Sequence, residues 1–452
     1  MIQRTFCLLA TLAVCAWLVW TRLIWQPIDG VPVIVVDIDT LRADRLGAYG
    51  YERETSPHLD AFARDAAFFR WTFSQAPNTP PSQSSILTSL YPTTHGKFRN
   101  QAVLPAAATT LAEALSAAGY RTAAFADGGL MAGGFGFEQG FDTYDDEGGR
   151  LRVIGPKVVD WIDSTLRSGD RRPFFLFIHT YDVHTPYEVS PARFRDRFLE
   201  SLERPDREFL AGVSAAMSEA ERRNKAGQPS PLDALQLQWI EALYDGGIRH
   251  VDWWFGKFIG VLRQRQLLEQ AIVVVISDHG DAFQEHGRLL HAVTYSPVTR
   301  IPFMLRAPGG RGAGVYDEVV QSIDLMPTVL DLLDLEIPHQ AQGQSLRPLL
   351  EGGALPQQLA FTSDPHATRF TVTTTRHRLH WRPEGGSTEL YAYRDDPLEQ
   401  VPLDDPETEE RLLAQVGQWL ETTQSTQLQE SAEVETIDDE LTRQLRALGY
   451  LD

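Results

Sequence analysis

The run Val31-Pro-Val-Ile-Val-Val-Asp-Ile-Asp39 constrains the fold more tightly than any other stretch, because it is aliphatic at alternate and intervening positions alike and then ends in carboxylates. A strand apolar on both faces is buried on both, which is the mark of a parallel sheet covered by helices. Similar runs occur at Thr122–Ala126, Phe174–His179, Ala271–Ser277 and Ile301–Leu305, with helical patterns at Leu111–Ala118, Val158–Leu166 and Leu235–Arg265 between them. The alternation predicts an α/β fold with a mostly parallel sheet flanked by helices. Ligands bind such sheets beyond the carboxyl ends of the strands. Three runs end in polar residues: Asp39, His179 (followed by Tyr181-Asp-Val-His184) and Ser277-Asp-His279.

The segment from Pro191 to Pro231 is polar and weakly periodic, and reads as a helical insertion on the rim. The apolar pattern pauses at Glu336–Gly343; beyond it, strand patterns at Arg369–Trp381 and Glu389–Tyr393 and helical ones at Thr408–Leu420 and Asp438–Leu448 predict a smaller α+β subdomain. At the other end, Phe6–Trp20 is apolar apart from Thr11 and follows Arg4. At ~1.5 Å per residue it falls a little short of a ~30 Å bilayer core, and Leu23–Trp25 extend it if Arg22 snorkels. Trp17, Trp20 and Trp25 suit interfacial positions and no A-x-A-like cleavage site is present, so an uncleaved transmembrane signal anchor is expected. A cleaved signal peptide or a lipoprotein signal at Cys15 is the alternative, and each puts the bulk of the chain in the extracytoplasmic space. The expected division is therefore 1–25 anchor, 26–335 catalytic domain and 336–452 C-terminal subdomain.

Among 452 residues the net charge is −20, and Val401–Asp452 holds 13 acidic against 3 basic residues. This argues against nucleic acid as a partner, since phosphate backbones are held by Lys and Arg. The only two cysteines, Cys7 and Cys15, lie in the apolar run, so disulfides, thiolate metal sites and cysteine nucleophiles are excluded from the rest.

Asp39 with Asp278 and His279 offers carboxylates and an imidazole at strand ends, a donor set for a divalent metal; singly, each such residue is as readily structural. In Thr79-Pro-Pro-Ser-Gln-Ser-Ser-Ile-Leu-Thr88 the prolines pre-set the first turn of a helix, placing Thr79 at its N-terminus. There a hydroxyl beside a metal is an activated nucleophile, and without one it is a plain N-cap.

Val36-Asp-Ile-Asp-Thr-Leu-Arg-Ala-Asp44, Ser56-Pro-His-Leu-Asp60, Leu90-Tyr-Pro-Thr-Thr-His-Gly96, Ser277-Asp-His-Gly280, Glu285-His-Gly287, Glu389-Leu-Tyr391 and Leu445-Arg-Ala-Leu-Gly-Tyr-Leu451 follow one another in an order and spacing that resembles sulfatase-type members of the alkaline phosphatase superfamily. The resemblance runs from about Val31 to the C-terminus. It implies an alkaline-phosphatase-like fold in which Asp39, Asp278, His279 and Thr79 hold one divalent metal ion and Thr79 is the nucleophile. It also implies that His184 contacts the transferred group and that His291 protonates or orients the ester oxygen. Arg300, His286 and His95 fall in matching blocks with a structural role equally open.

The departures carry as much information. Sulfatases proper place Cys or Ser at the nucleophile, with Arg four residues on, and mature it to formylglycine; here the two positions are Thr79 and Gln83. Oxidation of a threonine side chain gives a ketone, so the aldehyde hydrate of formylglycine is out of reach. Thr40 stands where a second Asp or a Gln is usual, and His279 where Asn is, which suits manganese or zinc better than calcium or magnesium. Asp37, two residues before Asp39, shares its face of the strand and either adds charge to the site or is a buried, hydrogen-bonded carboxyl. A Gly-Lys-x-His motif is missing after Gly119-Tyr-Arg-Thr122, and Asp127-Gly128 stand near there instead. The expected function is a metal-dependent hydrolase of phosphate (or sulfate) esters acting on a small-molecule, lipid-linked or glycan substrate. A membrane-anchored phospho-group transferase and an inactive binding protein on the same fold are the alternatives.

Overall fold

The computed structural model describes residues 28–200, 202, 206–291, 293–428, 439–448 and 450. The expected anchor at 1–25 lies outside the described residues, among which no helix is long and apolar enough to cross a membrane.

Eight strands form the main sheet: β1 (Val33–Ile38), β2 (Ala67–Phe73), β3 (Arg121–Phe125), β4 (Thr143–Asp145), β5 (Phe174–Thr180), β6 (Ile272–Ile276), β9 (Arg300–Arg306) and β10 (Gly314–Gln321). The order across the sheet is β10-β2-β9-β6-β1-β5-β3-β4. A small hairpin, β7 (Ala282–Phe283) with β8 (Leu289–Leu290), stands beside it. All pairings in the main sheet are parallel except those of β9, which runs antiparallel between β6 and β2. The sequence pattern found β9 but carried no sign of its direction. It also missed β2, whose apolar run is broken by Arg70, and β10, whose first residues are exposed.

Strand parity divides the core. Ile34, Val36 and Ile38 of β1 join one apolar cluster with α1 (Pro57–Arg64), α4 (Arg150–Arg167) and the long α6 (Ala234–Gln264). Val33 and Val35 join another with α2 (Thr79–Thr88), α3 (Leu111–Ala117) and α7 (Leu325–Leu332). The polar segment after Pro191 folds into short helices and α5 (Val213–Lys225).

The C-terminal part forms an antiparallel sheet in the order β11 (Ala360–Ser363), β12 (Phe370–Thr373), β13 (Arg378–Arg382), β14 (Ser387–Tyr391). Helix α8 (Pro406–Ser425) covers it with Leu412, Val416 and Trp419, and a last helix, α9 (Asp439–Ala447), returns to the main sheet. The single strand expected over Arg369–Trp381 is a hairpin. Phe370 pairs with Trp381 and Val372 with Leu379, so apolar residues fall opposite one another on both arms and alternation alone does not betray the turn.

A buried charge cluster fastens this sheet to the loop before β9. Glu399 accepts from Ser296 Oγ (2.5 Å) and His380 Nε2 (2.8 Å) and faces Arg378 Nε at 3.1 Å. Burial alone would raise the Glu399 carboxyl, but Arg378 and His380 outweigh it and hold the group at about 2. Its contribution to stability is therefore fully present above the unfolded pKa of ~4.3 and is lost as pH falls through that range toward the folded value. Glu399→Gln is expected to cost about 3–5 kcal/mol, since it leaves Arg378 buried without its counter-charge. Urea denaturation checks this, and the deficit should narrow as pH falls below the ordinary glutamate range.

Candidate active site

Strand parity also builds the site. Asp37 and Asp39 continue the Val33/Val35 face of β1, Asp278 continues the Ile272/Val274/Ile276 face of β6, and His179 continues the Phe175/Phe177 face of β5. These strands are adjacent and parallel, so all four side chains emerge at one edge on the side covered by α2. One turn of helix rises ~5.4 Å and two strand residues ~6.6 Å, so helical i,i+4 steps keep pace with strand i,i+2 steps. Accordingly Thr79 meets Asp39 and Gln83 meets Asp37.

Thr79 is the first residue of α2. Its Oγ1 donates to Asp39 Oδ2 at 3.1 Å and lies 3.3 Å from His279 Nε2. His279 Nδ1 is 3.0 Å from the Gly280 carbonyl, which can only accept, so the ring proton sits on Nδ1 and Nε2 presents its lone pair to Thr79. Asp278 Oδ1 accepts the backbone N–H groups of His279 (2.8 Å) and Thr40 (3.2 Å). Thr40 adopts a left-handed backbone (φ 57°), an uncommon choice for a β-branched residue, and this conformation delivers its N–H to Asp278.

Asp39 Oδ1 and Asp278 Oδ2 are buried without a hydrogen-bond partner. Together with the His279 lone pair they form a group whose ligand atoms lie within 4.8 Å of one another. Orphaned carboxylate oxygens facing a pre-set imidazole fit a divalent cation, so Asp39, Asp278 and His279 could hold one. Burial, then the charges of Asp278 and Asp37, push the Asp39 carboxyl well up. Burial and Asp278 do the same to Asp37, against the hydrogen bond from Gln83. Asp37 is thus a hydrogen-bonded buried carboxyl, with its second oxygen unpartnered.

Two further histidines complete the cluster. The His291 ring lies 4.8 Å from that of His279 and 5.5 Å from that of His184. His291 Nδ1 is 2.9 Å from Asp281 Oδ1, and Tyr187 donates to Asp281 Oδ2 at 2.5 Å. Burial works to raise the Asp281 carboxyl, but His291, His184 and Tyr187 hold it at about 2. Burial lowers His184 to about 3. Its Nδ1 lies 2.5 Å from the Thr185 carbonyl and so bears the proton, leaving Nε2 to accept from Tyr450 Oη at 3.0 Å.

The family model for sulfatases matches residues 32–335. The chain belongs to the sulfatase family. It is thereby a hydrolase of sulfuric or phosphoric esters. A second model, for the C-terminal part of N-sulphoglucosamine sulphohydrolase, matches residues 284–426. An arylsulfatase of Clostridium perfringens is 25% identical over 437 aligned positions, covering 82% of this chain and 89% of that protein. The multifunctional alkaline phosphatase superfamily protein PehA of Trinickia caryophylli is 26% identical, covering 71% and 77%. The phosphonate monoester hydrolase of Agrobacterium radiobacter superposes with a TM-score of 0.71 at 19% identity, covering 88% of this chain and 96% of that one. BT4656, solved with its substrate D-glucosamine-2-N,6-O-disulfate, superposes equally well at 18% identity, covering 88% and 98%. At these identities the two structures show a shared fold.

In this sulfatase-family chain Asp39, Thr79, Asp278, His279, His184 and His291 form one connected cluster. Other residues singled out from sequence serve elsewhere. Arg300 donates to the Arg70 carbonyl and lies over Trp71, His286 stacks on Tyr295 at 3.5 Å, and His95 faces Ser85 Oγ. The sequence places His179 at a polar strand end with Tyr181 after it, and Tyr450 in the C-terminal block, without giving any of them a role; Asp281 goes unnamed. Parity with Phe175 and Phe177 would have found His179, 3.3 Å from Asp39. The Leu445–Leu451 block contains Tyr450 but does not reveal that it comes to the site, which it reaches from the far end of the chain.

Because Asp37 and Asp39 have raised folded pKa values, the metal-free protein loses stability as pH rises past the ordinary carboxyl range, where only the unfolded chain ionises freely. Binding a cation requires the ionised carboxylate and should therefore release protons. Calorimetry of manganese or zinc binding in two buffers of different ionisation enthalpy is expected to show that release. The rise in melting temperature on adding metal is expected to grow with pH.

Proposed function

We propose that the chain is a metal-dependent phosphate- or sulfate-ester hydrolase that works through a covalent ester on Thr79. The observation that carries this reading is the Thr79 hydroxyl, set at a helix N-terminus between Asp39 Oδ2 and His279 Nε2. Asp39, Asp278 and His279 are the residues that would hold the cation. When bound, a divalent ion there supplies Lewis acidity and offsets the two carboxylates.

Thr79 Oγ bonds to the phosphorus or sulfur as the bond to the ester alcohol breaks, and its proton passes to Asp39, the carboxylate it already bonds. His291, paired with the ionised Asp281, presents Nε2 to the departing oxygen and gives it a proton. Water then attacks the phosphorus or sulfur of the Thr79 ester and gives a proton to His291, while the bond to Thr79 Oγ breaks and Asp39 returns its proton to that oxygen. Threonine at this position favours phosphate esters, because the formylglycine route to sulfate esters is closed to it. Small-molecule and glycan esters are the substrate classes suggested by the names of the relatives, and the apolar run at residues 6–25 supports an extracytoplasmic, membrane-anchored site.

Residues 26–452, supplied with manganese, zinc, magnesium or calcium, should turn over an aryl phosphodiester, phosphomonoester or sulfate ester. Thr79→Ala is expected to lower kcat by at least about 10³-fold with metal affinity largely kept, since nucleophile loss removes the covalent route. Turnover that survives Thr79→Ala would overturn the assignment. Asp281→Asn is expected to lower kcat by about 10²-fold, the usual worth of a positioned general acid.

A further inference from the structure

Helix α9 carries the last described residue, Tyr450, into the site. It is seated on Gly128-Gly129: Gln444 Oε1 accepts from Gly129 N at 2.7 Å, and Leu448 lies against the same glycine. Both glycines have positive φ, a Cβ at Gly128 would collide with the Asp146 carbonyl, and one at either would press on Gln444 or Leu448, so the glycine pair makes room for this approach. The Tyr450 hydroxyl thereby stands beside Thr79 and 3.0 Å from His184 Nε2.

A tetrahedral oxyanion brought to Thr79 needs donors. Thr79, Asp39, Asp278, His279, His184 and His291 bond to carboxylates, imidazoles, hydroxyls and main-chain groups. His184 has spent its ring proton on the Thr185 carbonyl and turns its Nε2 lone pair to Tyr450. The Tyr450 phenol is a further donor there, already aligned by its bond to His184 and additional to the proton that the proposed mechanism places on His291.

We propose that Tyr450 is a catalytic residue whose O–H, held ready on His184 Nε2, turns to donate to an oxygen of the transferred phosphoryl or sulfuryl group. This rests on the reading of Thr79 as nucleophile, and it makes a residue that follows α9 part of the active site.

The test compares the metal-loaded protein with Tyr450→Phe and Tyr450→Ala, titrating inorganic phosphate by calorimetry and measuring kcat/KM on bis(4-nitrophenyl) phosphate. Tyr450→Phe, which keeps the ring, is expected to bind phosphate about tenfold more weakly, as for one lost hydrogen bond to a charged group. It should also lose kcat/KM by at least that factor, with melting temperature and metal affinity unchanged. Equal phosphate affinity in all three proteins would overturn the proposal. So would faster turnover in Tyr450→Ala, which would mark the segment as an obstruction. The phosphate titration reads Tyr450 even if the intact protein turns over no ester, an outcome that would instead count against the hydrolase reading.

Discussion

Three carboxylates buried side by side, Asp37, Asp39 and Asp278, are the constraint on which the rest of the catalytic edge depends. Even after relaxation, taking one carboxylate out of water costs several kcal/mol, and no lysine or arginine is bonded to any of these three in the hydrogen bonds and ion pairs they make. Neutral dipoles offset part of that cost: the Thr79 hydroxyl, the Gln83 amide, and the main-chain N–H groups of Thr40 and His279. What dipoles leave uncompensated must be met by a cation or by protons. The raised Asp37 and Asp39 express that choice, and it ties metal, pH and stability together at a single point.

Helix α2 is what turns the cluster into a reacting site. Its register against β1 gives Asp39 a hydroxyl and Asp37 an amide, one turn apart. The family's usual arginine would bring a full charge to the position of Gln83; the amide brings a hydrogen bond alone. The electrostatic balance therefore shifts toward Asp39, Asp278 and His279, the group that could hold a cation, and the Thr79 hydroxyl lies at its edge. The Thr79 hydroxyl and its carboxylate partner are thus set by the same helical repeat that buries Ile86 and Leu87 in the core.

Much of this was legible in the sequence because the governing patterns are local. The β1 run declared a doubly buried strand, its terminal carboxylates declared the productive edge, and Pro80-Pro81 placed Thr79 at a helix start. Motif blocks then joined Asp39, Thr79 and Asp278-His279 across some 240 residues, as the structure does. What escaped depends on non-local geometry. The direction of β9 follows from its neighbours, β2 is interrupted by Arg70, and Tyr450 reaches Thr79 only through the docking of α9 on two glycines. Asp281 lay in plain view two residues after His279, but its meaning comes from His291, ten residues further along the chain.

The C-terminal sheet sends no side chain to Thr79, yet it fixes the loop that carries His291. Arg378 donates to the Thr294 carbonyl (2.7 Å), His380 receives the Thr294 hydroxyl at Nδ1 (3.1 Å), and Glu399 takes Ser296 Oγ. Tyr295 between them donates to Glu389 (2.6 Å) and accepts from Arg369 (2.8 Å), while His286 stacks on its ring. Every residue from 294 to 296 is thus held by a polar partner on the small sheet or its following loop. Apolar packing could supply equal stability, since buried ion pairs seldom outdo it. It would not fix a direction, whereas this network admits one placement of the loop. The small sheet with its flanking loop therefore bears on the site by holding the His291 imidazole in range of His279 and Asp281, and its removal would free His291 while leaving Asp39, Asp278 and His279 at their strand ends.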